Sequence, residues 1–212
     1  MIFREKRKTM SNYRKRIPYG MMNFVDVRKD DCYFVDKTRF IPAMEQANKF
    51  FFFIRPRRFG KSLTMSMLKN YYDINRADKF ETLFGGLYIG ENPTEERNSF
   101  LIIDLDFSLI DGALGDYRKS MDGHCRIRFE SFCSSYASLL PEGTKDELRK
   151  ANGAVEQLQV LIDMCAKADQ KIYLFIDEYD HFTNDILSDD KRLKDYENET
   201  HGEGYLRKFF NT

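Results

Sequence analysis

The chain has 212 residues, of which 42% are hydrophobic and 32% are charged, a composition typical of one globular domain with a sizeable core. Its net charge is +0, which excludes a strong overall field that would attract nucleic acid. No apolar run approaches the length of a membrane-spanning helix, and the basic N-terminus lacks the apolar stretch of a secretory signal. We therefore expect a cytoplasmic protein with no membrane partner.

The chain is predicted to begin with a short leader and to continue as one domain. Residues 1–15 are basic and lack apolar periodicity, which predicts a disordered leader. Residues 16–212 form the predicted domain. Its cysteines show no metal-ligand spacing, so we expect free thiols in a reducing compartment. They are Cys32, Cys125, Cys133 and Cys165.

Three apolar segments are predicted strands, and helical patterns separate them. Residues 50–54 are apolar on both faces, which is typical of a buried strand in a parallel sheet. Residues 99–107 and 172–176 are the other two. The alternation predicts an α/β fold, with a parallel sheet flanked by helices. Helices are predicted over residues 40–46, 61–72, 116–139 and 145–168, an irregular excursion over 80–93, and the start of an amphipathic helix after 204.

A basic turn and then a helical segment follow the first predicted strand, which is the layout of a phosphate-binding P-loop. The usual pattern is G-x-x-x-x-G-K-[ST]. Its second half is present as Gly60-Lys61-Ser62, but Arg55 stands at the first glycine position and Pro56 stiffens the turn. The glycine lets the backbone approach a phosphate, the lysine places an ammonium between the outer phosphates, and the serine hydroxyl ligates Mg²⁺.

The same segment offers further groups to a triphosphate. Backbone amides at the start of the helix add the positive end of its dipole, and the arginines of the turn add charge. The alternative is an ordinary strand–helix turn whose arginines are solvated or pair with the acidic C-terminal region. The predicted nucleotide-binding residues are Arg55, Pro56, Arg57, Arg58, Phe59, Gly60, Lys61, Ser62 and Leu63.

Two adjacent acids end the third predicted strand, where ligands bind in open α/β sheets. Asp177 can hold magnesium through water, and Glu178 suits a base that activates the attacking water. The alternative is a strand that simply ends in polar residues. Asp104 and Asp106, near the end of the second predicted strand, share one face by alternation, and one of them is a further candidate for the site.

Several motifs resemble those of the predicted AAA-ATPase-like proteins of bacteria. The resemblance covers nearly the whole chain from about residue 16, and its most specific motif is R-P-R-R-F-G-K-S at residues 55–62. The other motifs are R-I-P-Y-G at 16–20, F-V-D-V-R at 24–28, Y-F-V-D-K-T at 33–38, L-F-G-G-L-Y-I-G at 83–90, I-D-E-Y-D at 176–180 and H-G-E-G at 201–204.

The resemblance implies a P-loop ATPase that uses ATP and magnesium. It implies an extra catalytic glutamate, here Glu178, and it makes Arg55 in place of the first glycine a normal feature of the family. With the roles argued from the motifs, the predicted catalytic residues are Lys61 and Glu178, and the predicted magnesium ligands are Ser62 and Asp177. Family members typically continue into more of the ATPase domain, and many carry a C-terminal domain resembling PD-(D/E)XK nucleases. A further strand is expected beyond residue 212, so we expect a truncated P-loop domain.

Two functional readings follow from these residues. The first is an ATP-binding, magnesium-dependent ATPase module whose present 212 residues hydrolyse ATP weakly if at all. The second is a nucleotide-responsive binding or scaffold module that does not turn ATP over. Its partner would be nucleic acid, reached through the basic segments or a downstream domain. An oligomer is compatible with both readings.

Overall fold

The computed structural model describes residues 15–47, 51–54, 56, 59–110, 117–179 and 205–210. The chain divides into two compact units. Unit 1 contains Met1–Met67 and Lys79–Asn92, and unit 2 contains Leu68–Asp78 and Pro93–Thr212. Each unit has buried apolar side chains of its own. The predicted leader at residues 1–15 lies outside the described residues except for Lys15, which pairs with Asp31 at 2.6 Å.

Short helices build unit 1. They are α1 (Phe24–Lys29), α2 (Ile41–Glu45), the first half of α3 (Lys61–Tyr72), α4 (Phe80–Phe84) and α5 (Tyr88–Glu91), with a 3₁₀ turn at Thr38–Phe40. Helix α1 begins where the Asn23 side chain accepts a hydrogen bond from the Val25 amide at 2.9 Å. Its buried face carries Phe24 and Val27, which are both fully buried.

Hydrogen bonds between distant segments connect these helices. The Arg28 guanidinium donates to the Leu83 carbonyl at 2.7 Å and to the Gly85 carbonyl at 2.8 Å. The Asp36 carboxylate accepts from the Tyr88 amide at 2.8 Å. Three motifs that the sequence presents separately, at residues 24–28, 33–38 and 83–90, therefore form one structural unit.

Residues 80–93 were predicted to be irregular, and this was wrong for most of the segment, because α4 and α5 lie within it. Close backbone contacts require glycine at two places, one at the end of α4 and one where α5 packs against α4. A β-carbon on Gly85 would lie 2.5 Å from the Glu81 carbonyl oxygen, and one on Gly90 would lie 2.1 Å from the Phe84 carbonyl oxygen. The glycines that suggested a loop are therefore explained by close backbone contacts.

Unit 2 is a two-stranded parallel sheet with helices. Strand β1 (Phe100–Asp106) pairs with β2 (Lys171–Asp177), which confirms the second and third predicted strands and their parallel arrangement. The other elements are the second half of α3, 3₁₀ turns at Ile74–Lys79 and Phe107–Leu109, and the helices α6 (Tyr117–Ser135), α7 (Thr144–Lys150), α8 (Gly153–Lys167) and α9 (Tyr205–Phe210). The helix predicted over 145–168 is therefore two helices, interrupted near Gly153, whose φ is 81°.

The faces of the sheet follow from strand alternation. Leu101, Ile103 and Leu105 are buried in the core that α6 and α8 complete. On the other face, Tyr72 of α3 packs edge-to-face on Phe100 and Tyr173, with ring centroids 5.6 and 4.9 Å apart. Helical residues thus cover both faces of this small sheet, as expected for an α/β protein.

The strand predicted over residues 50–54 is not found. Residues 51–54 have no regular secondary structure, and Phe52 and Ile54 are 73% and 80% exposed. A strand exists only where a neighbour completes its hydrogen bonds. Among the described residues, the two-stranded sheet contains β1 and β2 alone.

The four cysteines are free thiols, as the sequence predicted. All four are also buried. Burial raises the pKa of Cys125 to about 12 and that of Cys165 to about 11. These thiols stay protonated at neutral pH and act as small apolar side chains of the core. In the described part of the chain, no helix is long and apolar enough to cross a membrane.

Candidate functional site

In the described part of the turn before α3, a backbone hydrogen bond runs from the Phe59 amide to the Pro56 carbonyl at 3.3 Å. Gly60 follows with φ 78°, a left-handed conformation that side chains other than glycine adopt at a cost. Among the described residues other than its two chain neighbours, no heavy atom lies within 4 Å of the position where its β-carbon would be. The space beside this backbone is therefore open. Arg55, Arg57 and Arg58 lie outside the described residues.

Helix α3 begins at Lys61, as the sequence predicted. Its first intrahelical hydrogen bond runs from the Thr64 amide to the Gly60 carbonyl at 2.9 Å, and the Thr64 hydroxyl donates to the same carbonyl at 2.9 Å. The amides of Ser62 and Leu63 precede this bond, so the helix itself offers them no acceptor. The first turn carries no acidic side chain. No side chain of the first turn therefore offsets the positive end of the helix dipole.

The second candidate segment is the end of β2. Asp177 is the last residue of the strand, and its carboxylate oxygen Oδ1 accepts a hydrogen bond from the Glu178 amide at 2.9 Å. Glu178 has φ 52°. The other left-handed residues among those described are glycine, aspartate or asparagine, which adopt this region more readily. Backbone strain at a residue without such a preference is typical of functional positions.

The register of the sheet brings a further acid beside Asp177. Asp106 and Asp177 are direct partners in the parallel pair, so both side chains lie on the same face. Asp104, two residues earlier, shares this face, as alternation predicted, and pairs with Lys69 of α3 at 2.7 Å. The Asp106 carboxylate accepts from the Ser108 amide at 3.0 Å and from its hydroxyl at 2.7 Å. Three carboxylates therefore lie at this end of one face.

The sequence analysis missed two contacts of α3. The Ser66 hydroxyl oxygen accepts a hydrogen bond from the Phe24 amide at 3.0 Å, and the Lys69 ammonium donates to Asp104. Ser66 lies one turn after Ser62, and this i,i+4 spacing is the signal that could have placed both on one face. The partners are 42 and 35 residues away in sequence, so sequence alone could not identify them.

The predicted residues thus fall into two groups. Those from Pro56 to Leu63 belong to unit 1, while Asp177 and Glu178 belong to unit 2. Among the residues that the structure describes, no cluster of three or more His, Cys, Asp or Glu could hold a metal on its own.

Comparison with known proteins gives two matches and one negative result. A family model described as Predicted AAA-ATPase matches residues 18–212. A curated protein from Azotobacter chroococcum mcd 1, titled "Uncharacterized protein in vnfD 5'region", is 40% identical over 77 residues. That match covers 36% of this chain and only 14% of the length of the relative. No solved structure matches the chain significantly. Because the family model spans nearly the whole sequence, the chain belongs to the Predicted AAA-ATPase family.

Proposed function

We propose that the protein binds ATP through residues 55–63. The observation that carries this proposal is the backbone at Gly60, which combines a left-handed φ of 78° with open space and the immediate start of α3. A phosphate needs backbone that can approach it closely and amides that point towards it. Membership of an AAA-ATPase family supports a nucleotide as the ligand that carries this phosphate.

In this proposal each residue of the segment has its own role. Gly60 admits the phosphate to the backbone, and the amides of Ser62 and Leu63 donate to its oxygens. Lys61 contributes an ammonium to the outer phosphates. Arg55, Arg57 and Arg58 add positive charge, while Pro56 and Phe59 shape the turn. Ser62 provides a hydroxyl ligand to magnesium, which supplies charge neutralisation at the phosphates when it is bound.

We further propose that the protein hydrolyses ATP, with Asp177 and Glu178 completing the chemistry. Asp177 holds the water shell of the magnesium ion. Glu178 orients the attacking water and accepts its proton, while Lys61 stabilises the charge that develops on the transferred phosphoryl group. The left-handed φ of Glu178 supports this role, because the surrounding structure holds that residue in a conformation that costs free energy.

The binding proposal is tested by isothermal titration of the protein with ATP and magnesium. Lys61→Ala should weaken binding by at least about tenfold, since a hydrogen bond to a charged group contributes about 1.5–3 kcal/mol. Lys79→Ala is the matched control, because this lysine is in the same unit and exposed. Equal ATP affinities for the wild type and Lys61→Ala would contradict the assignment of the loop.

Turnover is tested separately, by phosphate release from the full-length protein. Tight ATP binding without any phosphate release would favour a nucleotide-responsive binding module over an ATPase. The same result would leave the assignment of residues 55–63 intact, because binding and turnover depend on different residues.

A further inference from the structure

A groove of about 410 Å³ lies in unit 2, apart from the residues assigned to the nucleotide. It runs beside the edge of β1 that does not face β2. Residues of the 3₁₀ turn after α3 form one wall, and residues of α6 form the other. Its size is within the range of pockets for small ligands. The side chains that matter below are Asp73, Arg76, Asp104, Arg128 and Tyr136, and all five line it.

The phenol and the two carboxylates that line this groove already have hydrogen-bond or ion-pair partners. The Tyr136 hydroxyl accepts from the Ile102 amide at 3.0 Å and donates to the Asp73 carboxylate at 2.9 Å. Asp73 also accepts from the Asn75 amide at 2.9 Å. The Asp104 carboxylate is paired with the Lys69 ammonium. A ligand that offered mainly hydrogen-bond donors would therefore compete with the existing partners of these acceptor groups.

The guanidinium groups that line the groove still have hydrogen-bond donors to offer a ligand. Arg128 is half-buried, and in the described part of the chain its guanidinium makes no hydrogen bond and no ion pair. Arg76 forms an ion pair with Asp73, and their closest atoms are 3.7 Å apart, which is beyond hydrogen-bond distance. With Lys69 included, three bases and two acids surround the groove, so the local charge is +1. A half-buried guanidinium without a counter-charge is costly, and an anion would offset that cost.

The edge of β1 excludes one class of occupant. An added strand would need the Ile102 amide, which already donates to Tyr136. At the start of the strand, Phe100 already bridges to Asp73. The edge is therefore closed to an added peptide strand along much of the groove, and a small ligand fits better. We propose that this groove binds a small oxyanion, either a carboxylate or a phosphate ester, through the guanidinium groups of Arg128 and Arg76.

His124 of α6 provides an internal reporter. Burial lowers its pKa, the positive charge of Arg128 lowers it further, and Asp106 and Asp104 act in the opposite direction. Its Nε2 atom is buried and has no hydrogen-bond partner among the described residues. An anion beside Arg128 would screen the positive charge that acts on His124. Binding should therefore raise the pKa of His124, which NMR titration of the imidazole protons measures.

The test is a calorimetric titration of the full chain with succinate in one arm and inorganic phosphate in the other. At least one anion should bind, and Arg128→Ala should weaken that binding by at least about tenfold, as expected for loss of a charge-assisted contact. Arg126→Ala is the matched control, because it removes the same charge from an exposed position on the same helix. The arm that binds identifies the chemical class of the ligand.

Two further variants keep the result decisive. Lys61→Ala should leave this binding unchanged, because the proposed nucleotide loop does not line the groove; loss of binding in that variant would assign the anion to the loop and overturn the proposal. Arg128→Lys should weaken binding while keeping the fold, which covers a failure of Arg128→Ala to fold. The proposal is also wrong if neither anion binds, if Arg128→Ala and Arg126→Ala bind equally, or if the pKa of His124 does not move.

Discussion

Asp106 and Asp177 lie opposite each other at the ends of two parallel strands, yet their carboxylates make different contacts. Asp106 accepts from both the amide and the hydroxyl of Ser108, and so begins the 3₁₀ turn that follows β1. Asp177 accepts from the amide of the next residue, Glu178. One carboxylate therefore stabilises a local turn, while the other lies beside a strained residue at the proposed catalytic position.

The first prediction separates these two acids. Asp177→Asn should raise the magnesium concentration needed for ATP binding, because it removes the charge that holds the ion. Asp106→Asn should leave that requirement unchanged and cost little stability, because asparagine caps a turn about as well as aspartate. Titration of ATP binding against magnesium measures both variants. If Asp106→Asn has the larger effect on the magnesium requirement, the two roles are reversed.

The second prediction uses the left-handed backbone of Glu178. Glu178→Gln should keep ATP binding but lower turnover by about 10²–10⁴-fold, as expected for loss of a general base. Glu178→Gly should lower turnover in the same way, and it should also be more stable than the Gln variant by about 0.5 kcal/mol. That gain is the relief of left-handed strain, reduced by the greater freedom of glycine in the unfolded chain. Phosphate release and thermal unfolding give the two readouts; equal melting temperatures would show that the position is not strained.

The third prediction concerns pH and Asp36. Burial raises the pKa of Asp36. Hydrogen bonds from the Thr38 hydroxyl and from the amides of Tyr88 and Thr38 lower it more, and the charge of Arg39 lowers it further. The net pKa is therefore below the ordinary value of 3.8. The ionised Asp36 carboxylate therefore contributes its full stabilisation of the folded state above pH 3.8. This contribution is lost as the pH falls through the lower pKa that Asp36 has in the folded protein.

Asp36→Asn should accordingly destabilise the protein by about 1–3 kcal/mol at neutral pH, because it weakens hydrogen bonds to a charged acceptor. The difference from the wild type should shrink as the pH falls below 4, where the wild-type carboxylate becomes protonated. Chemical denaturation across this pH range measures it. A difference that is independent of pH would show that the charge of Asp36 contributes nothing.

The fourth prediction compares two glycines. Gly90→Ala should destabilise unit 1 strongly, by about 3 kcal/mol or more, because the new β-carbon would lie 2.1 Å from a backbone oxygen that cannot move alone. Gly123→Ala is the matched control within α6, where no atom lies within 4 Å. It should stabilise the protein by about 1 kcal/mol through helix propensity. Denaturant unfolding measures both; tolerance of Gly90→Ala would contradict the close packing of α4 and α5.

The fifth prediction tests the hydroxyl of Tyr136. Burial raises the pKa of this phenol far above its ordinary value, so it stays protonated and donates to Asp73 while accepting from Ile102. Tyr136→Phe should cost about 1–3 kcal/mol, because two partly buried groups lose their partner. Phe132→Leu, in the last turn of α6 just before Tyr136, removes ring packing and leaves these hydrogen bonds in place. Protection of the Ile102 amide from hydrogen exchange should fall in the first variant and persist in the second.

Sequence reasoning succeeded where local pattern determines structure. Helix α3 was predicted with its observed bounds, and both strands of the sheet were found to within two residues, because their periods and polar ends are local features. Gly60 was expected to let the backbone approach a phosphate; its φ of 78° is a conformation that favours glycine, and the approach itself stays a prediction.

Prediction from sequence failed where the structure depends on a partner elsewhere in the chain. The apolar run at 50–54 predicts a strand, but pattern cannot supply the neighbour that a strand requires. The pairing of Asp106 with Asp177 depends on sheet register, which alternation alone leaves undetermined. Gly85 and Gly90 suggested a loop because a close backbone contact, within the end of α4 for Gly85 and between α5 and α4 for Gly90, leaves the same sequence signature as a flexible turn.

The hydrogen bonds of unit 1 have a consequence for the order of folding during synthesis. Tyr88 and Asp36 are 52 residues apart, and the Arg28 contact with Gly85 spans 57 residues. Residues 55–63 are therefore synthesised, and leave the ribosome, before the residues that lock their unit have emerged. Unit 1 can reach its native packing only once residue 90 is available, so its contacts form late and at the cost of a long loop closure. A ribosome stalled before that point should carry this unit in a protease-sensitive state.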